Sequence, residues 1–424
     1  MKRRQFLQAL GMGAALGAVA TRASGASRAR PKVVVIGAGY GGATAARYLS
    51  LWSAGGIDVT LVEPNPVFIS CPLSNLVLGG SRRLEDLTVS YDRLARRDGI
   101  AMVRELATGI DPDKRIVTLG NGKTLAYDRL VLSPGVDFLY DRLPGMRQPD
   151  ARERILHAWK AGEQTVALRR QLEAMEDGGA FVLSVPQAPY RCPPGPYERA
   201  CQVAHYFRQA KPKSRVILLD GNEDVVSKGA LFKKVWAEQY DGMVDYRPSF
   251  NTVDVDAKSR TVISELGEEV RGAVINLLPP QAAGAIAART GLANANRRWC
   301  EVDFLSFEST QARHIHVLGD AIQVAPLMPK SAHMANQHAK VCAAAIIELL
   351  ADRPPPANPV LTNTCYSFVS DQDVIHVASV HGYDAQRKTL IAVPGSGGLS
   401  TAANALEGRY AMDWARNIWA DTLS

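Results

Sequence analysis

The sequence predicts an α/β chain with two Rossmann-like domains and a smaller C-terminal α+β domain. Three observations predict it. The apolar run at 31–36 leads into Gly37-Ala38-Gly39-Tyr40-Gly41-Gly42, so G-x-G-x-x-G stands at 37, 39 and 42 between a buried-type strand and a small-residue helix. A second strand–loop–helix–strand unit begins near residue 156 and lacks those glycines. Beyond the linker Arg353-Pro354-Pro355-Pro356, short strands and an aromatic-rich final helix replace the alternating pattern.

The chain has 424 residues, enough for two or three domains with a large core. Its N-terminus reads as an export signal over residues 1–26. Lys2-Arg3-Arg4-Gln5-Phe6-Leu7 is a twin-arginine start, the mildly apolar run 10–20 follows, and Ala23-Ser24-Gly25-Ala26 offers a cleavage site. That run is too short and too weakly apolar to span a bilayer. A periplasmic protein exported by the twin-arginine route is therefore expected. Removing Lys2, Arg3, Arg4 and Arg22 with the leader lowers the net charge from +7 to +3. The basicity belongs largely to the leader, and nucleic acid is not an expected partner. No later segment has 18 consecutive apolar residues, so no integral membrane span is expected.

In the first unit the glycines permit the tight turn, the approach of a pyrophosphate and close helix packing. A second strand over 57–62 ends on Glu63, 21 residues past Gly42, where a carboxylate accepts hydrogen bonds from an adenosine ribose. Short strands follow at 101–104 and 115–119, and Asn121-Gly122 turns the latter into a hairpin. A parallel strand then runs into Ser133-Pro134-Gly135. In the second unit, a helix over 165–175, a strand over 180–185, a helix over 197–209 and a strand over 215–220 repeat the plan. Its loop, 186–196, is proline-rich and displays Cys192. A pyrophosphate needs free backbone N–H groups and proline has none, so this unit is a degenerate NAD-like domain. The chain is then expected to return to the first domain through strands at 272–278 and 315–318, Gly319-Asp320, and a helix over 331–350. The predicted domains are an FAD-binding domain at 27–155 and 272–352, the degenerate NAD-like domain at 156–271, and the C-terminal domain at 357–424.

FAD is favoured over NAD as the cofactor because two Rossmann-like units, a later Gly319-Asp320 and a returning helix occur together. In such flavoproteins the aspartate holds the ribityl or phosphate region and the helix N-terminus favours negative charge on the ring. Cys71, in Ile69-Ser70-Cys71-Pro72-Leu73-Ser74-Asn75, follows Glu63 by eight residues and can reach what the nucleotide carries. None of the six cysteines forms C-x-x-C, and C-x-x-C-H for covalent haem is absent. His314 and His316 alternate along a strand and His333 and His338 are five apart, so no metal site is expected.

The segments 67–80, 190–198, Gly319-Asp320, Asn363-Thr364-Cys365-Tyr366 and the aromatic tail resemble the flavoprotein subunit of flavocytochrome c sulfide dehydrogenase over essentially the whole mature chain. The resemblance implies FAD held covalently through an 8α-S-cysteinyl link to Cys71. It implies a redox-active disulfide between Cys192 and Cys365 beside the flavin, and makes Glu198 a candidate acid/base. It implies oxidation of sulfide to polysulfide or sulfur, with electrons passed to a c-type cytochrome subunit. Two alternatives share the pattern: a sulfide:quinone oxidoreductase, or a non-turnover accessory flavoprotein of a sulfur-oxidising system. The residues alone also allow a structural 192–365 disulfide or two unrelated thiols, a buried free thiol at Cys71, and a simple first-turn charge at Glu198. Cys201 and Cys342 fall in helices and read as packed thiols. With Cys300 they are an odd three, so at least one stays unpaired. Trp414 and Trp419 stand either near an electron path to a haem partner or in the core.

Overall fold

The computed structural model describes residues 29–424, so the leader expected at 1–26 lies outside the described residues. In chain order the principal elements of the first half are β1 (Lys32–Ile36), α1 (Tyr40–Trp52), β2 (Asp58–Val62), α2 (Ser74–Gly79), β3 (Ala101–Val103), β4 (Arg129–Leu132), α3 (Glu163–Ala174), β5 (Ala180–Val185) and α4 (Gly195–Ala210). There follow β6 (Arg215–Asp220), α5 (Gly229–Gln239), β7 (Val244–Arg247), β8 (Val274–Leu277), β9 (Ile315–Val317) and α6 (Ala332–Leu350). The C-terminal part holds β10 (Val360–Phe368), β11 (Val374–Asp384), β12 (Thr389–Ala392) and α7 (Ala405–Leu423).

The first sheet is parallel throughout, in the order β9-β4-β1-β2-β3. Val33, Val34, Val35 and Ile36 are all buried, as an interior parallel strand covered on both faces requires. The turn into α1 depends on glycine at two points. Gly37 sits at φ +88°, and a Cβ there would lie 2.3 Å from the Ser133 carbonyl oxygen. A Cβ on Gly42 would lie 1.8 Å from the Gly37 oxygen, so only glycine lets the helix start this close to the strand. Polar stitches then fix α1 to the late helices: Asn336 Nδ2 donates to Thr44 Oγ1 at 3.0 Å and to Asp421 Oδ2 at 2.7 Å.

The second sheet is also parallel, in the order β7-β6-β5-β8. It corrects the expected domain boundary. The strand at 272–278 does not return to the first domain: β8 pairs with β5, Phe181 opposite Val274, and completes the second sheet. Val274, Ile275 and Leu277 are buried on both faces there, and a run of that composition carries no mark of which parallel sheet takes it. The return occurs only after β8. The C-terminal strands form an antiparallel sheet, β10-β11-β12, and α7 starts with the Asn404 side chain accepting the Glu407 N–H at 2.8 Å. Among the described residues no helix is long and apolar enough to cross a membrane.

Candidate functional site

A cavity of about 780 Å³ opens where the first sheet, the proline-rich loop and β10 meet. Two helix N-termini, which favour negative charge, contribute to its lining. Gly39, Tyr40 and Gly41 come from the α1 entrance, and Ser331, Ala332 and His333 from the α6 entrance. Ser331 caps α6 by accepting the Met334 N–H at 3.0 Å, which leaves the first-turn N–H groups aimed outward.

The nucleotide-type residues gather as the motif predicts. Glu63 is buried at the end of β2, accepting the Ala38 N–H at 2.8 Å and the Asn65 N–H at 2.9 Å. Gly39 has extended backbone, and a Cβ there meets nothing within 4 Å, so this stretch of chain faces open cavity. Asp320 also lines the cavity, its Oδ1 buried without a hydrogen-bond partner. Burial pushes its carboxyl up, against the pull of Arg191 and Lys330.

Those features test whether a flavin dinucleotide fits. The cavity lies within the ~300–1,000 Å³ range of ordinary ligand sites. Bare backbone at Gly39 suits a pyrophosphate, and an orphaned buried carboxylate at Asp320 needs a hydroxyl donor of the kind a ribityl chain carries. The residues fit the group.

Three cysteines from remote segments line this same cavity: Cys71, Cys192 and Cys365. Cys71 Sγ accepts the Ala161 N–H at 3.5 Å. Cys192 sits at φ +59°, an uncommon conformation for a side-chain-bearing residue, with its N–H donated to the Lys330 carbonyl at 2.8 Å. Gly195 makes room for it, since a Cβ on Gly195 would fall 2.8 Å from the Cys192 sulfur and 2.7 Å from the Trp159 ring. Cys365 Sγ lies 3.5 Å from Asn363 Nδ2. All six cysteines are free thiols, so the disulfide expected between Cys192 and Cys365 is not formed in this structure, although both residues line the one cavity. Burial drives the Cys192 thiol far up, and Glu198 and Cys365 add to that shift. Burial also raises Cys365, opposed by Lys228.

Glu198 is buried in the first turn of α4 and bridges two other elements. Its Oε1 accepts the Phe368 N–H at 3.0 Å and its Oε2 accepts from Asn75 Nδ2 at 3.1 Å. Burial lifts its carboxyl above the ordinary range. It lines the cavity with Cys192, placing a proton acceptor beside the thiols.

Several residues that shape the site were not singled out from sequence. Arg199 is buried and spends its guanidinium on Asn75, Asn276 and the carbonyls of His157 and Ala158, which locks α4 to the cavity wall. Arg191 and Trp159 clasp one another across the loop: Trp159 Nε1 donates to the Arg191 carbonyl at 3.1 Å and Arg191 donates to the Trp159 carbonyl. Lys228 lies against β10. None carries a sequence signal, because an arginine in a helix and a lysine in a turn ordinarily face water. Of the tail aromatics, Trp414 lines the cavity with Tyr366, ring centroids 6.2 Å apart, while Trp419 donates to Tyr40 Oη at 2.9 Å. Cys201, Cys300 and Cys342 are fully buried, and Cys201 accepts from Trp236 Nε1 at 3.2 Å. Among the described residues no cluster of three or more His, Cys, Asp or Glu side chains could hold a metal ion.

The fold and the cavity define a two-dinucleotide-fold flavoprotein, and residues 31–173 match the pyridine nucleotide-disulphide oxidoreductase family. Residues 165–279 match the central domain of the sulfide dehydrogenase (flavocytochrome c) flavoprotein chain, and 357–423 match the flavocytochrome c sulphide dehydrogenase flavin-binding domain. The chain belongs to the flavocytochrome c sulfide dehydrogenase flavoprotein family. It is 52% identical over 46 residues to that flavoprotein chain of Chlorobaculum thiosulfatiphilum, covering 11% of this chain and 94% of the relative. It is also 24% identical over 301 residues to the mitochondrial sulfide:quinone oxidoreductase of Dictyostelium discoideum. That match spans 68% of this chain and 65% of the relative. In fold it resembles the sulfide:quinone oxidoreductase of Aquifex aeolicus, with a TM-score of 0.75 and 19% identity over 92% of this chain and 91% of that one.

Proposed function

We propose that this protein is an exported sulfide dehydrogenase flavoprotein, which oxidises sulfide at a Cys192–Cys365 disulfide and passes electrons to a c-type cytochrome subunit. One observation carries the reading: thiols from the proline-rich loop and from β10 share the flavin-type cavity with a buried carboxylate. Hydrosulfide attacks one sulfur of the disulfide, forming a persulfide as the 192–365 bond breaks and the other cysteine leaves as thiolate. A second hydrosulfide takes the outer sulfur. The balance is two HS⁻ giving HSS⁻, one proton and two electrons. Glu198, raised by burial, is the acceptor suited to that proton. The two electrons remain on the dithiol until the disulfide re-forms. A bound FAD supplies the complementary chemistry, taking electrons as a pair and releasing them singly.

Cys71, which lines the same cavity, is the residue proposed to hold FAD as a thioether. Intact mass after denaturation is expected to show the mature chain heavier by one FAD, and Cys71→Ala to lose that increment while keeping dissociable flavin. An unchanged mass in the variant rules the link out.

The function is tested by sulfide:cytochrome c reductase assays on the flavin-loaded protein. Turnover abolished in Cys192→Ser and in Cys365→Ser supports the reading. No turnover in protein with bound flavin and an intact disulfide favours the accessory role. The similarity to sulfide:quinone oxidoreductases supports a second acceptor, a membrane quinone. Against it stands the exposed face of α7, which carries Arg409, Asp413 and Arg416. Firm flotation with liposomes, together with faster turnover on a soluble quinone than on cytochrome c, would move the assignment to quinone. The twin-arginine pattern in residues 1–26 supports periplasmic export, which fractionation of the full-length chain tests.

A further inference from the structure

Against β10 lies a lysine that neither the motif pattern nor the reaction above employs. Lys228 is only 7% exposed and stands at the N-terminal boundary of α5 with φ +58°, a left-handed conformation disfavoured for a lysine. Its ammonium donates to three neutral oxygens: the Cys365 carbonyl at 2.9 Å, Ser367 Oγ at 2.7 Å and the Ile375 carbonyl at 3.4 Å. All three donor hydrogens are thus satisfied and none by a carboxylate. A buried cation without a bonded counter-ion is costly and acts strongly on any anion nearby, because little water screens it.

The groups that face this cation are few. Cys365 is its strongest favourable neighbour, followed by Glu198 of α4, Cys192 of the proline-rich loop and Glu407 of α7. Glu198 is already engaged by the Phe368 N–H and Asn75. Glu407 is engaged by Ser400 and His376. His333, which accepts the Thr364 N–H next to Cys365, is held neutral by burial, its pKa near about 4. The sulfurs at 365 and 192 are the remaining groups whose charge is adjustable, and of the two it is Cys365 whose own carbonyl the lysine binds. Asn363 Nδ2 at 3.5 Å and the α6 entrance at Ser331 add donors from the other side.

We propose that Lys228 is a positioning residue whose buried charge favours the anionic form of the Cys365 sulfur, against the burial that disfavours it, as thiolate in the reduced pair and as persulfide while it carries sulfane sulfur. This rests on the reading of Cys192 and Cys365 as the redox pair. Burial brings the lysine down to about 8, so it remains mostly charged at neutral pH. The lysine acts through charge, not contact, since its donors are spent on oxygens.

The test is the pH dependence of Cys365 alkylation in the anaerobically reduced, flavin-loaded protein, read peptide by peptide with iodoacetamide and mass spectrometry. Lys228→Met is expected to move the Cys365 midpoint upward by about one unit, which is about tenfold slower alkylation near pH 7. Cys192, with Arg191 beside it, moves less. Lys228→Arg restores the midpoint to within about threefold in rate, a rescue that a purely structural tether would not give. Ser367→Ala, which removes a tether and leaves the charge, keeps the midpoint where it is. Lys228→Gln replaces the methionine variant should that one fail to fold. A Cys365 midpoint unchanged in a folded, flavin-containing neutral variant overturns the proposal. Because the assay needs neither sulfide nor turnover, a failed sulfide assay leaves this result standing, and a flat midpoint leaves the disulfide reading intact.

Discussion

At the scale of single residues the site is made as much by missing side chains as by present ones. Gly195 leaves the volume into which the Cys192 sulfur and the Trp159 ring settle, and Gly39 leaves the α1 entrance bare. The two differ in consequence. Gly39 has φ −70°, which alanine adopts without strain, and its added methyl meets no protein atom. Gly39→Ala is therefore expected to fold with unchanged thermal stability as apoprotein, yet to displace an anion from the backbone N–H groups. Losing one charge-assisted hydrogen bond of about 1.5–3 kcal/mol weakens flavin binding at least about tenfold. Flavin per chain after purification checks this, and full occupancy in the variant would show that no phosphate approaches there. The glycines, Glu63 and Asp320 were legible in the sequence because a dinucleotide needs those residue types at that spacing. Lys228 was not, since Ser227-Lys228-Gly229 has the composition of a solvated turn, and only the burial of its stem and head under β10 reveals it.

At the scale of elements, β10 and α6 divide the work around Cys365. A strand puts alternate residues on one side, and Asn363, Cys365 and Ser367 share that period. Asn363 reaches the sulfur, while Ser367 takes the lysine. Ser331 links the two elements: it caps α6 through the Met334 N–H and donates to Asn363 Oδ1 at 2.7 Å. Asn363 in turn meets the Cys365 sulfur through both ends of its amide, Nδ2 at 3.5 Å and Oδ1 at 3.6 Å. Ser331→Ala removes the cap and the shorter of the two bonds to Asn363 Oδ1, at a cost of about 1–2 kcal/mol. Urea unfolding should show a lower midpoint with an unchanged slope, and an unmoved midpoint would show that the cap contributes nothing. The strand around Cys365 and the helix over 331–350 were readable from their patterns. Their meeting was not, because 32 residues separate Ser331 from Asn363 and no local periodicity encodes the contact.

Taken as a whole, the molecule repeats one βαβ plan twice and uses the copies differently. In the second copy Asp220, at the strand end where a ribose would be held, is consumed internally. Tyr197 and Tyr246 donate to its Oδ2 at 2.7 and 3.2 Å, and Asn222 takes its Oδ1. The sheet membership of β8 escaped the sequence because parallel core strands look alike. Stability at this scale is tied to pH through histidines kept neutral inside the first domain. His338 of α6 is 2% exposed, and burial lowers it to about 3. Its Nδ1 accepts the N–H of Gly319, so the ring supports the turn that presents Asp320 to the cavity. The folded pKa is depressed below the unfolded value near 6.5. The stability contributed is therefore complete above that value and is lost as pH falls, because the unfolded chain takes up a proton that the folded one refuses. Between pH 7 and 5 this single group removes about 2 kcal/mol. Buried carboxyls such as Glu198 and Asp220 are raised and run the opposite way, so the wild-type slope alone does not isolate it. The comparison that does is His338→Asn, which keeps an acceptor for the Gly319 N–H and cannot titrate. Against wild type in urea at pH 7 and at pH 5, the variant should start less stable, having lost the ring's packing on Phe307. It should then lose about 2 kcal/mol less on acidification. Equal losses in both proteins would mean that His338 already binds a proton in the folded state, and that the Gly319 turn is held by something else.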